Sequence, residues 1–208
     1  MLVQLRFATG LSSGEYVRRE YWREATLDRC PHHLMGGCGV RGHGTYERKH
    51  PRGVLVPRWY CRAANSTISL LPDFLCARLP GTLDEAEGAV AAAEEAASVE
   101  AAADAIRPDG ELPGAIRWLR RRIRGIRAAL TSLLGLLGDL PAGVQPTVTS
   151  FREAIGVSPV LVRVREIAAL HLRSLPPPLG FGPRPSRRSS GLHCVQHEAG
   201  PDPPSPIG

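Results

Sequence analysis

The sequence predicts an α+β protein: a small N-terminal β module of the zinc-ribbon kind, then an all-α unit, then a proline-rich tail. Three observations lead to it. Three of the five cysteines fall between Cys30 and Cys61, among short strand-like runs. The composition changes at Gly81, where aromatic residues give way to alanine. From Ile116 to Leu137 apolar residues recur at spacings of three and four, the period of a helix with one buried face.

Residues 1–20 carry little pattern. Leu2 to Phe7 alternates apolar and polar, which suits a short strand, and Gly10 to Gly14 reads as a loop. Residues 21–75 form the β module. Tyr21 to Leu27 is expected to enter it as a strand, with Trp22 packed in its core rather than offered as a stacking platform. Cys30-Pro31-His32-His33 then places a cysteine and a histidine two residues apart, the gap at which a tight turn aims two side chains at one metal ion. Cys38 follows Gly36-Gly37, a pair that lets the backbone fold back. Gly39 to Lys49 and Val54 to Cys61 read as a hairpin around His50-Pro51-Arg52-Gly53.

Cys30, His33, Cys38 and Cys61 together would close a Cys3His site for a structural Zn2+, with no position left for water or substrate. Ala64 and Asn65 stand where a second ligand would follow Cys61. The site is therefore either rebuilt around Cys38 or empty, its cysteines ordinary reduced thiols. Arg48, Lys49 and Arg58 on the hairpin suit phosphate contact, or else a solvated strand edge.

Several of these strings occur together in a known context. Cys30-Pro31, then Arg41-x-His43-Gly44-x-Tyr46-x-Arg48, then Arg58-Trp59-Tyr60-Cys61, then Ser66-Thr67-Ile68-Ser69-Leu70-Leu71-Pro72 resembles the zinc-ribbon region of bacterial insertion-sequence transposases. The resemblance covers about residues 22–80. It implies a ribbon fold that binds DNA ends beside a helix-turn-helix. Here the fourth ligand of that pattern is missing.

The helical unit is assigned to 82–137. Thr82 and Glu85 make a T-x-x-E capping box for a helix reaching about Ala97. Ser98 opens a second helix, Val99 to Ile106, which Pro108 ends. A third begins near Pro113 and carries Ile116, Leu119, Ile123, Ile126, Leu130, Leu133 and Leu137 on one face. Arg117, Arg120, Arg121, Arg122, Arg124 and Arg127 fill the first half of the rest, and no acidic residue lies between Pro113 and Gly138. A short helix, a tight connection and a long basic helix suggest a helix-turn-helix with 113–127 as recognition helix. Arg117, Arg120, Arg121, Arg124 and Arg127 would contact duplex DNA. Two alternatives stand beside this. The acidic helices (Asp84, Glu85, Glu87, Glu94, Glu95, Glu100, Asp104) could neutralise the arginines within the chain, or the Ile116–Leu137 stripe could be a homodimer seam.

Gly138 to Gln145 reads as a linker. Residues 147–174 are expected as a helical hairpin: Thr147 to Ile155, then Ser158 as N-cap and Pro159 as first residue of a helix to Leu172. Residues 175–208 are proline-rich, predict disorder, and hold His193, Cys194 and His197 without fixed geometry.

Composition narrows the function. The chain has 208 residues and a formal charge of +6, which favours an acidic partner. Five cysteines without a disulfide framework suit a reducing cytoplasm. No secretion signal and no run of 18 apolar residues is present, so no membrane partner is expected. Phosphate loops, nucleophile elbows and carboxylate triads on a mixed nuclease domain are absent too. The expectation is a non-enzyme without a small-molecule substrate. A protein-interaction module or a mobile-element remnant are the other readings.

Overall fold

The computed structural model describes residues 2–182 apart from 107, 109–111, 138–140 and 142. The fold is α+β, as expected. Four strands make one sheet: β1 (Leu2–Phe7), β2 (Arg41–Glu47), β3 (Leu55–Cys61) and β4 (Ser66–Pro72), in the order β1-β4-β3-β2. The hairpin β2–β3 and the pair β3–β4 are antiparallel. β1 returns parallel to β4, with Leu2 opposite Thr67 and Phe7 opposite Pro72. A strand buried on both sides must be apolar nearly throughout. β4, at the centre, is buried at every position but Thr67.

The two faces of the sheet serve different ends. Ile68 meets Val3, Leu5 and Trp59 on one face, together with the knuckle cysteines Cys30 and Cys61. On the other, Val56 and Leu71 pack with Tyr16, Phe74 and Leu75. Tyr16 belongs to α1 (Ser13–Arg18), a helix in the stretch read as a loop. Its signal was present: Ser12 and Glu15 make a complete capping box. Tyr16 is fully buried, its hydroxyl donates to the Leu55 carbonyl at 2.8 Å, and burial raises its pKa. The strand expected over Tyr21–Leu27 is instead a 3-10 turn at Tyr21–Glu24. Glu20 adopts a left-handed backbone directly after α1 and reverses the chain. Tyr21 therefore stacks on Phe7 at 5.7 Å and Trp22 meets Tyr16 at 5.9 Å, so Trp22 is a packing residue.

The helices are α2 (Leu83–Glu95), α3 (Val99–Ile106), α4 (Leu112–Leu136), α5 (Val148–Ile155) and α6 (Val160–Ile167), followed by a 3-10 turn at Ala169–His171. Thr82 caps α2 with the full capping box, and Thr147 caps α5. Pro159, not Ser158, is the cap of α6; it offers no side-chain acceptor, and the Glu87 carboxylate of α2 takes the Leu161 amide of the first turn instead. The apolar stripe of α4 is buried in the chain itself. Ile126, Leu130 and Leu133 meet Leu83 and Val90 of α2, Phe151 of α5 and Leu161 and Val164 of α6. Leu119 packs with Ala89, Ala102 and Ala103. Most of the Ile116–Leu137 stripe, the candidate homodimer seam, thus packs within the chain, with Ile116, Ile123 and Leu137 only partly buried.

The disordered stretch expected from 175 does not begin there. Leu175 and Leu179 are fully buried in the main core. Residues 175–182 form a strap across α4, closest at Gly125, where an added Cβ would lie 3.2 Å from Pro178. Inside the strap an added Cβ on Gly180 would lie 2.1 Å from the Leu175 carbonyl oxygen, so only glycine fits. Residues 183–208, with His193, Cys194 and His197, lie outside the described residues.

Arg165 ties these parts together. It is fully buried, and among the described residues its guanidinium bonds backbone carbonyls rather than a carboxylate. Four hydrogen bonds run from it to these carbonyls: Leu179 from Nε at 2.8 Å, Asp73 and Leu75 from Nη1 at 2.8 and 2.6 Å, and Pro178 from Nη2. Burial lowers its pKa to about 10. One side chain on α6 thereby joins the end of the sheet to the strap.

Candidate metal centre and basic helix

Cys30, His33, Cys38 and Cys61 converge. Their ligand atoms all lie within 4.8 Å of one another. Each is placed by a different local device. A tight turn brings the His33 amide to the Cys30 carbonyl at 3.1 Å and sets the first pair. Gly36, Gly37 and Gly39 all take positive φ, which carries the chain round and returns Cys38 to the turn. Cys61 ends β3, and the amide of Ala64 donates to its sulfur at 3.4 Å.

The donor set fits a tetrahedral thiophilic ion. Zn–S of about 2.3 Å and Zn–N of about 2.0–2.1 Å at tetrahedral angles put a ligating sulfur and nitrogen about 3.6 Å apart. Here His33 Nδ1 lies 3.6 Å from Cys30 Sγ and 3.5 Å from Cys61 Sγ. Cys30 and Cys61 are buried against Ile68, while Cys38 closes the solvent side and is half-buried. Desolvation opposes the Cys30 thiolate. Hydrogen bonds from the His33 ring, the His32 backbone and the neighbouring thiols outweigh it and lower its pKa to about 7. Desolvation raises Cys38, with the adjacent Cys30 and Cys61 thiols adding to the rise. A cation at the centre of the four would favour all three thiolates. His32 is not a ligand: its Nε2 sits 3.0 Å from Ser66 Oγ, on β4. Cys76 is also elsewhere, buried with its thiol on the Thr82 carbonyl, and burial raises its pKa to about 11.

The basic residues divide. Arg48 is half-buried, and its Nη2 donates to the carbonyls of Cys76 and Leu79, tying the end of β2 to the start of the helical unit. Lys49 is exposed. Arg58 is half-buried, bonds the Thr45 carbonyl at 3.3 Å and lies over the Tyr46 ring at 5.7 Å. On α4, Arg117, Arg120, Arg121, Arg124 and Arg127 are all exposed. At 3.6 residues per turn they fall within an arc of about 120°, opposite the buried stripe. Internal neutralisation reaches one of them: Arg120 pairs with Glu100 of α3 at 2.7 Å. Among the described residues no ion pair forms at Arg117, Arg121, Arg124 or Arg127. The remaining arginine of the run, Arg122, is buried, donates to the Pro80 carbonyl and stacks on Trp118 at 3.7 Å. Its place was readable from the period of α4, which puts 122 on the side of Leu119 and Ile126.

The acidic helices mostly hold the helical unit itself. Glu87 is fully buried, pairs with Arg152 at 2.8 Å and accepts from the Leu161 amide. Glu94 accepts from the amides of Val148 and Thr149 at the start of α5. Among the described residues no helix is long and apolar enough to cross a membrane. No known protein family, curated protein or solved structure matches this chain.

Proposed function

We propose that this is a non-catalytic, transposase-derived DNA-binding protein, in which a zinc-held β module is joined to a helix that lies against duplex phosphates. The observation that carries the reading is the arginine arc of α4: five exposed guanidinium groups on one side of one helix, four of them without an ion pair among the described residues. Such a field meets its complement in a line of phosphates, and its burial-side leucines fix it rigidly to the fold. The Cys3His cluster supports zinc as the structural ion, from its sulfur-rich donors and tetrahedral spacing. Residues 113–127 would serve as the groove-facing helix, with α3 before them, and Lys49 and Arg58 would add backbone contacts. The transposase-like origin rests on the motif residues His43-Gly44, Arg58 to Cys61 and Ser66 to Pro72. A reducing cytoplasm suits its free thiols.

Duplex binding measured against salt tests this. Each phosphate contact adds about 0.9 to the slope of log affinity on log salt. Replacing Arg117, Arg121 and Arg124 together with Gln should lower the slope by about 2–3 and leave the thermal midpoint nearly unchanged. An unchanged slope would remove α4 from the interface.

A further inference from the structure

A second site lies where the sheet meets the helices, away from both the cysteine cluster and the arginine arc. The β2–β3 turn, α2, the end of α3 and α4 line a half-open cavity of about 710 Å³. Sites for small organic ligands span about 300–1,000 Å³, mostly apolar with a few convergent polar groups. This cavity has that character. Ala89, Ile106 and the stacked pair of Trp118 and Arg122 give it apolar and flat walls. His50 and Glu85 supply the polar side, with His50 Nε2 at 3.0 Å from the Glu85 carboxylate. The polar groups converge on one point. An added Cβ at Gly81 would stand 2.7 Å from Glu85 Oε2 and 3.7 Å from both Arg122 Nη2 and the His50 ring. Gly81 has φ of +100°, so backbone and space both exclude a side chain there.

A smaller cleft of about 400 Å³ adjoins it at His50 and Pro80, which line both. Its charged lining is mixed: Lys49, Arg48 and Arg78 with Glu47, beside Tyr46. A half-open slot with a carboxylate at its edge, beside a cleft with cationic side chains, suits a planar ring that donates hydrogen bonds and carries an anionic group.

We propose that these two adjoining pockets bind a nucleotide, its base against the Trp118–Arg122 stack with Glu85 accepting from a ring N–H, and its phosphate beside Lys49 and Arg78. Base stacking on aromatic and guanidinium planes tolerates any base, while the carboxylate favours a base edge rich in donors, as in guanine. The site does not depend on the duplex-binding reading, since none of the exposed α4 arginines lines it. The nucleotide could be free or the unpaired terminal residue of a DNA strand.

Calorimetric titration of the full chain with 5′-GMP tests the proposal. Gly88 lines the cavity on α2, and an added Cβ there meets no atom within 4 Å. Gly88→Phe therefore fills the space without disturbing the core, and replacing glycine in a helix favours folding. One equivalent of 5′-GMP should bind. Gly88→Phe should weaken binding at least tenfold with an unchanged thermal midpoint. Lys49→Ala, an exposed substitution, should weaken 5′-GMP several-fold but leave guanosine unaffected. No binding at millimolar 5′-GMP, or binding indifferent to Gly88→Phe, would overturn the proposal. A second titration compares a blunt duplex with one bearing a single unpaired 3′ nucleotide. A Gly88→Phe-sensitive preference for the overhang identifies the strand end as the source; no such preference, with 5′-GMP bound as above, identifies the free nucleotide. Loss of the arginine-dependent salt slope in Arg117, Arg121 and Arg124 variants would leave this result untouched.

Discussion

Cys38 is the residue on which the metal centre turns. In a ribbon with two paired knuckles, position 64 would supply the fourth ligand; here it is Ala64, and Cys38 comes round on its glycine loop to close the tetrahedron. Metal analysis of protein purified without chelator should find one zinc per chain, lost in both Cys30→Ser and Cys61→Ser. Cys38→Ser should also lose it. Adding Ala64→Cys to Cys38→Ser should restore it, because the Ala64 amide already lies 3.4 Å from the Cys61 sulfur, at the turn that carries such a pair. Failure of that rescue would mean the cluster does not have the geometry of a metal site. The four ligands were legible from spacing alone, because tight turns and cysteine chemistry are local. Arg165 was not. Read along the chain, Val-Arg-Val-Arg-Glu-Ile looks like an exposed face with alternating charge, and only the tertiary fold supplies the four carbonyls that Arg165 satisfies. Arg165→Met should cost about 3–5 kcal/mol by leaving those carbonyls without donors, read as a lowered denaturant midpoint. Arg165→Lys should recover only part of the loss, since an ammonium cannot span the same fork of acceptors.

Elements declared themselves in proportion to how local their causes are. α2, α3 and α4 fall within a residue or two of expectation because capping boxes, a proline and a three-four repeat are written in consecutive residues. Thr82→Ala should test the first of these, lowering stability by about 1 kcal/mol in a urea melt. The same substitution takes the acceptor from the Glu85 amide, keeps the backbone N–H that the Glu85 carboxylate bonds, and should leave zinc content unchanged. The short α1 carries the same capping signal, but six residues bury too little apolar surface to show a period. β4 is the opposite case. Its near-continuous burial removes the alternation that marks a strand, and its place at the sheet centre follows from a hairpin with β3 and from pairing with β1, where Leu2 meets Thr67 far along the chain. The α4 stripe was read correctly as a buried face, while its partner was not fixed by the pattern. A repeat of leucines fits a second copy of the chain as well as α2, α5 and α6, and the strap at 175–182 adds apolar cover that a proline-rich sequence conceals.

On the scale of the whole molecule, the sheet and the helices share ties rather than a hinge. Arg48 bonds carbonyls at the start of the helical unit, Arg165 reaches back to Asp73 and Leu75, and Phe181 touches both principal cores. Unfolding should therefore be one transition. Near-ultraviolet and far-ultraviolet circular dichroism should give the same midpoint, and chelation should lower both together. Two separated midpoints would mean that the ties are too weak to couple the halves. The parallel pairing of β1 with β4 has a further consequence, for the order of assembly on the ribosome. The first strand to be made has no partner until residues 66–72 follow it, since its register is with Thr67 to Pro72 alone. Meanwhile the β2–β3 hairpin and the zinc knuckles can close as soon as they emerge. β1 is then the last piece of the sheet to settle, and the strap, which must wait for residues 175–182, docks on α4 later than the sheet. Nascent chains arrested before residue 175 should hold zinc yet remain open to protease along α4, and only chains long enough to release Gly182 should become resistant.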